Sequence, residues 1–150
     1  MSRIRVAAYV LRETTSWELL VFEQAGRPQA GTQVPAGGVQ PDETLEVAVL
    51  REVFEETGLH DLAVRAELHT EHGPHPTTGM PRVTTFFAVH APLQTPDTWT
   101  HSVHGSGADA SMTFHCRFTP LPLQRPLVDN QDAGLGLIDV DFTTRARLRE

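Results

Sequence analysis

Glu43, Arg51, Glu52, Glu55 and Glu56, preceded by the double glycine Gly37-Gly38, are the residues of this chain whose types and spacing suit chemistry. On a helix, Glu52, Glu55 and Glu56 stand at i, i+3 and i+4, so their carboxylates share one face. Like charges one turn apart repel, and carboxylates near a helix C-terminus meet the wrong pole of its dipole. Local physics disfavours the cluster, which makes a compensating cation attractive. Hard divalent ions prefer oxygen ligands, and Mg²⁺ takes a few carboxylates while keeping other positions for water and phosphate oxygens. The Gly37-Gly38 pair lets a tight loop run close to the acidic face, where a backbone carbonyl can add a ligand. Arg51, beside the cluster, is placed to pair with Glu43. Metal ions clamp phosphates and a carboxylate orients or deprotonates water, so the set suits phosphate chemistry. Taken alone, an acidic triplet on a helix is a solvated face and a Gly-Gly pair a turn.

The complete spacing says more. Gly37, five residues, Glu43, seven residues, then Arg51-Glu52-Val53-Phe54-Glu55-Glu56-Thr57-Gly58-Leu59 resembles the Nudix box of the Nudix hydrolase family at all nine of its defined positions, over a span of 23 residues. The resemblance implies an α/β chain of the mixed α+β kind: a Nudix fold with a mixed β-sheet core flanked by helices and a loop–helix–loop catalytic motif. It implies a pyrophosphohydrolase, dependent on Mg²⁺ or Mn²⁺, that splits a nucleoside diphosphate linked to another moiety by attack of water at phosphorus. Glu52, Glu55 and Glu56 would bind the metal, and one of them could act as base. The Gly37 carbonyl would be a further ligand, Glu43 and Arg51 the supporting pair, and Gly58 the end of the helix. A Nudix-fold binding module or regulator that recognises a nucleotide without turning it over is the alternative. Such members usually carry a damaged box, and this one is intact.

Outside the box, many members take another acidic ligand or base from a later loop. Asp109 and Asp97 are the candidates here, and Asp109, set among glycines at 105–109, is preferred as a metal ligand. Its plain reading is a turn aspartate. Pro74 lies 15 residues beyond Leu59, near where ADP-ribose-type members often carry a proline. The pairs His72/His75 and His101/His104 have spacings compatible with metal binding but no companion cluster, so exposed loop histidines are the default. Trp17, Tyr9, Phe86 and Trp99 could stack on a base, with packing the plainer role. Arg145, Arg147 and Arg149 read as a solvated end.

The elements that must position these residues follow from periodicity. Alternation predicts strands around Ile4–Val10, at Val64–Leu68 and at Met112–Phe118 with Cys116 on the buried face; the run Leu19–Phe22 reads as a short strand, and Val83–Val89, β-branched and aromatic, as a central one. Gln24 to Pro28 reads as a turn. One helix is predicted over 43–57, with Pro41-Asp42 as its start signal, Gly58 just past its end, and Val47, Leu50 and Phe54 as its core side, opposite the glutamates. Residues 73–81 and 92–110 read as long irregular loops, and 129–138 as an ambiguous short helix weakened by Gly134 and Gly136.

With 150 residues, 39% of them hydrophobic, the chain fits one domain spanning 1–150. A net charge of -7 argues against duplex nucleic acid as a partner. All 12 basic residues are arginine, which removes lysine nucleophiles, Schiff bases and a P-loop lysine. A single cysteine excludes an intramolecular disulfide and thiolate-rich zinc sites. No apolar run is long enough to span a bilayer, and no secretory signal is apparent. The expected setting is the cytoplasm, with no membrane contact and a small nucleotide as partner. The oligomeric state and the particular nucleotide are not legible.

Overall fold

The computed structural model describes residues 2–103 and 112–138. β1 (Arg3–Glu13) and β2 (Trp17–Gln24) form a hairpin, and a short 3-10 turn at Pro28–Ala30 leads into β3 (Ala36–Gly38). The helix α1 (Leu45–Thr57) follows, then β4 (Ala63–Pro74), β5 (Pro81–His90), β6 (Thr98–Ser102) and β7 (Thr113–Pro120). The strands make one seven-stranded sheet in the order β4-β5-β1-β2-β7-β6, with β3 attached to β1. β1 and β5 run parallel and the other pairs antiparallel, so the sheet is mixed, as expected. Among the described residues no helix is long and apolar enough to cross a membrane.

β1 is buried on both faces from Val6 to Leu11. Val6, Ala8 and Val10 pack with Phe22, Phe87, Ala48, Val49 and Val53 on the helix side. Ala7, Tyr9 and Leu11 join Val21, Val34, Leu127 and Ile138 on the other. Ile4, at the strand's start, is 46% exposed. β1 pairs with β2 only near its end, at Leu11↔Leu19 to Glu13↔Trp17, and with β3 near its start, at Arg5↔Gly38 to Ala7↔Ala36. Between these regions the strands diverge, and the segment 33–38 wedges into the gap. Its backbone bonds Phe22 through Gln33 in both directions, and its Pro35 carbonyl accepts from Ala8 N–H. This wedge carries Gly37 and Gly38 to the middle of the sheet, under α1.

Three expectations are corrected. First, α1 starts at Leu45, and its cap is Thr44, whose hydroxyl accepts from Val47 N–H at 3.1 Å. Asp42 instead turns the chain with φ 65°. The end at Gly58 is as expected: φ is 81° and its N–H bonds the Phe54 carbonyl. Second, Val47 and Phe54 do not face the core; they are 55% and 52% exposed. The buried arc runs through Ala48, Val49, Val53 and Glu52, because the acidic face is turned inward toward β3. Third, the 92–110 stretch contains β6, paired with β7 from Thr98↔Arg117 to Ser102↔Thr113. The 73–81 stretch shrinks to a hairpin turn, because β4 extends to Pro74 and β5 begins at Pro81. Strands β1, β2, β4, β5 and β7 lie where the residue pattern placed them, and Cys116 is buried.

Candidate active site

The wedge and the helix meet at Gly37. A β-carbon there would overlap the Glu52 carboxyl group, which would have to move aside, so glycine allows the close approach. Arg51 organises the acids around this contact. It donates through Nε to Glu43 Oε2 at 2.6 Å and through Nη2 to Glu43 Oε1 at 2.9 Å, a bidentate pair. Nη2 also donates to the Gly38 carbonyl at 2.9 Å, and Nη1 donates to Glu52 Oε1 at 2.8 Å and to Glu55 at 3.3 Å. Glu43 accepts from Gln40 N–H as well, at 2.9 Å. The arginine and this backbone donor hold the Glu43 carboxyl below the usual carboxylate range. Glu52 moves the other way, because burial outweighs the opposing pull of Arg51. Arg51 itself is held more firmly protonated, chiefly by Glu43.

Glu56 points to the other side of the wedge, where its Oε1 accepts from Ala36 N–H at 2.8 Å. Cys116 lies within its field. Burial, and then the charge of Glu56, push that thiol up to about 12. The last turn of α1 is tied down from β6. Trp99 Nε1–H donates to the Thr57 carbonyl at 2.7 Å, and His101 Nε2 lies 3.0 Å from the Glu55 carbonyl. A carbonyl only accepts, so that imidazole nitrogen carries the proton. Neither role was visible in the sequence, since both residues fall in a stretch read as loop.

Beside Glu56 opens a cleft of two adjoining cavities that share Arg5, Ala36, Asp129 and Gln131. The cavity against Glu56 has a volume of about 260 Å³. The second, about 60 Å³, reaches Arg82, Thr84, Phe86 and Pro74. Asp129 accepts from Arg5 and from Arg82 and sits in a turn where it and Asn130 have φ 56° and 55°. Gln131 fixes that turn: its Oε1 accepts from Val34 N–H at 2.8 Å, and its carbonyl accepts from the Tyr9 hydroxyl. Sequence reasoning missed Arg5, Arg82, Asp129 and Gln131, which only the tertiary fold brings together. An arginine on an otherwise apolar strand was the one signal available.

The structure thus brings together Gly37, Glu43, Arg51, Glu52 and Glu55, with Glu56 bonded apart from them to Ala36 N–H. Their donors are hard oxygens, the set a divalent ion of the Mg²⁺ or Mn²⁺ type takes. The carboxylates are engaged by Arg51 and Ala36 N–H, and among the described residues no three acidic, histidine or cysteine side chains converge as a metal cage. Asp109 lies outside the described residues, as do His104, Arg145, Arg147 and Arg149. Asp97 belongs elsewhere: it pairs with Arg12 at 2.6 Å, near the opposite end of β1. His72 and His75 gather no metal partners; His75 instead accepts backbone N–H groups of its own turn. Tyr9 is fully buried; Phe86 is buried but lines the cleft.

A family model described as NUDIX domain matches residues 1–118. The chain belongs to the Nudix family, whose hydrolases act on pyrophosphate bonds. Solved structures agree with the fold. The NUDIX domain of Shewanella oneidensis NrtR, complexed with ADP ribose, is 21% identical with a TM-score of 0.60; the match covers 99% of this chain and 89% of that one. An Ap4A hydrolase of C. elegans in a binary complex is 18% identical at a TM-score of 0.66, covering 96% and 98%. A MutT NUDIX hydrolase from Burkholderia pseudomallei is 22% identical at 0.61, covering 91% and 97%. No curated protein matches the sequence.

Proposed function

We propose that this chain hydrolyses a nucleoside diphosphate linked to another moiety, with Mg²⁺ or Mn²⁺ bound at Glu52, Glu55 and Glu56 and at the Gly37 carbonyl. The observation that carries the reading is the inward-turned acidic face of α1, set against the wedge and opening at Glu56 onto the cleft. A divalent ion there would neutralise phosphate oxygens and lower the pKa of bound water. The chain's own residues do the rest. Arg51 and Glu43 hold the carboxylates in register and offset their repulsion. One of the three glutamates takes the proton of the attacking water, and the cleft receives the nucleotide. Asp109 is proposed as a further metal ligand. The ADP ribose and Ap4A named for two of the structural relatives make nucleotide-linked diphosphates the class to test first. A cytoplasmic location fits a single unpaired cysteine and a nucleotide substrate.

The test is a hydrolysis screen with Mg²⁺ and with Mn²⁺ over nucleoside triphosphates, ADP-ribose, NDP-sugars, NADH, coenzyme A and diadenosine polyphosphates. Turnover should depend on metal, and Glu55→Gln or Glu56→Gln should reduce it by about a hundredfold or more while the fold persists. Unchanged rates in both variants would remove these residues from the mechanism. Nucleotide binding without phosphate release, in folded wild-type protein with either metal, would favour a binding module instead.

A further inference from the structure

Arg5 and Arg82 stand on the parallel strands β1 and β5, near one another in register, and reach into the arm of the cleft away from Glu56. Their side chains are only 15% and 10% exposed, and they share one carboxylate, Asp129. Each guanidinium has about five N–H donors. Each gives one bond to Asp129, that of Arg5 a long one at 3.5 Å. Two like charges removed from water and only partly paired are costly, and burial and Arg82 both disfavour the charged form of Arg5. The other charged group lining this arm, Glu71, is engaged by His69 at 2.8 Å. The charge of Arg5 also acts on Glu52, but among the described residues most of the guanidinium donors have no hydrogen-bond partner and are left for a ligand. Asp129 is held in place beforehand, through the left-handed turn fixed by Gln131 and Tyr9.

The arm is small. Its volume of about 60 Å³ compares with roughly 300–1,000 Å³ for a pocket that encloses a whole small molecule, so a compact group fits it better than a base with its sugar. It borders the Glu56 cavity, with which it shares Arg5, Ala36, Asp129 and Gln131 as walls. Planar guanidinium forks match the oxygens of a phosphate, whereas an uncharged sugar would leave those donors poorly matched. We propose that Arg5 and Arg82 form a subsite for a phosphate group beyond the diphosphate being cleaved, so that the preferred substrates carry one additional phosphate. Asp129 is the resident counter-ion, which the incoming phosphate displaces. The inference rests on the reading of the cleft as the nucleotide site.

The test compares substrates that differ by one phosphate: NADPH against NADH, coenzyme A against dephospho-coenzyme A, and ATP against ADP. These arms separate a ribose phosphate from a polyphosphate chain. In wild-type protein, kcat/KM should favour the phosphorylated member of at least one pair by about tenfold or more. Arg82→Gln should bring that ratio to near one. Asp129→Asn should raise it, because the competing carboxylate is gone; if the triad were only a clamp, the ratio would fall or stay level while Tm dropped. A wild-type ratio near one for every hydrolysed pair, or a ratio untouched by Arg82→Gln, overturns the subsite. Calorimetric titration of both members of each pair in Ca²⁺, on wild type and both variants, decides the question independently of turnover. If nothing is hydrolysed but the phosphorylated member of a pair is preferred in an Arg82-dependent way, the subsite stands and the hydrolase reading falls. Equal binding of the two members in every pair, or no binding at all, overturns the subsite.

Discussion

At the scale of single residues, the site is a problem in charge balance. Four glutamates meet one arginine, and Arg51 touches three of them as well as the Gly38 carbonyl. A local spacing suffices to specify this, because Glu43, Arg51, Glu52 and Glu55 are all within thirteen positions of one another and α1 fixes their directions. The box was therefore legible in the sequence residue by residue. Arg5, Arg82 and Asp129 were not, since strand pairing and a distant turn bring them together and no periodicity records it. Gly37 tests how tight the arrangement is. A methyl group there must displace Glu52. Gly37→Ala should lower stability by about 1–3 kcal/mol and weaken activation by metal, read by thermal melting and by the Mg²⁺ dependence of the rate. A variant with wild-type melting and metal response would show that the wedge has slack.

At the scale of elements, α1 is amphipathic in an unusual sense, because its buried arc includes Glu52 and is flanked by the half-buried Glu55 and Glu56. Reading apolar against acidic residues put Val47 and Phe54 inside, when they are the residues left outside. The error has a physical source. Polar side chains were assumed to face water, whereas here β3 and Arg51 supply their partners within the protein. The long strands were legible because apolar residues alternate in β7 and crowd with β-branched and aromatic residues in β1 and β5. β6 was hidden because Thr98, Thr100 and Ser102 alternate with Trp99 and His101, a polar run preceded by Pro92 and Pro96. Yet that strand clamps the last turn of α1. Removing the clamp should loosen Glu55 and Glu56 without unfolding the sheet. We expect Trp99→Phe, which keeps the ring beside Phe118, and His101→Leu each to lower kcat by about three- to tenfold and to raise the metal concentration needed for half-activation. His101→Gln, which can still donate to the carbonyl, should recover most of the loss. Equal metal dependence in all three variants would reduce the clamp to general packing.

At the scale of the whole molecule, the described residues beyond the family-matched 1–118 contribute to the core: Leu127, Leu135 and Ile138 are buried in its second cluster. Outside the site, the loss of stability in acid has an identifiable contributor on the β2–β7 pair. Glu23 accepts from Arg117 and, at 2.8 Å, from Thr32, and the arginine chiefly holds its carboxyl below the usual range. A depressed folded-state pKa adds stability that is present above the unfolded carboxylate value and lost as pH falls through the folded one. Urea melts of wild type and Glu23→Gln should therefore differ at pH 7 and converge as pH drops below about 4. A gap that persists unchanged into acid would assign the difference to packing. The wedge has a further consequence, for the order in which the molecule assembles. The slot that holds residues 33–38 lies between β1 and β2, and the other edge of β1 is completed by β5, which is translated after the helix. A hairpin and a helix can form from neighbouring residues, but the surface against which Gly37 meets Glu52 needs contacts distant along the chain, and such closures are slow. An active site built at a seam in the sheet ties the onset of activity to the completion of the fold.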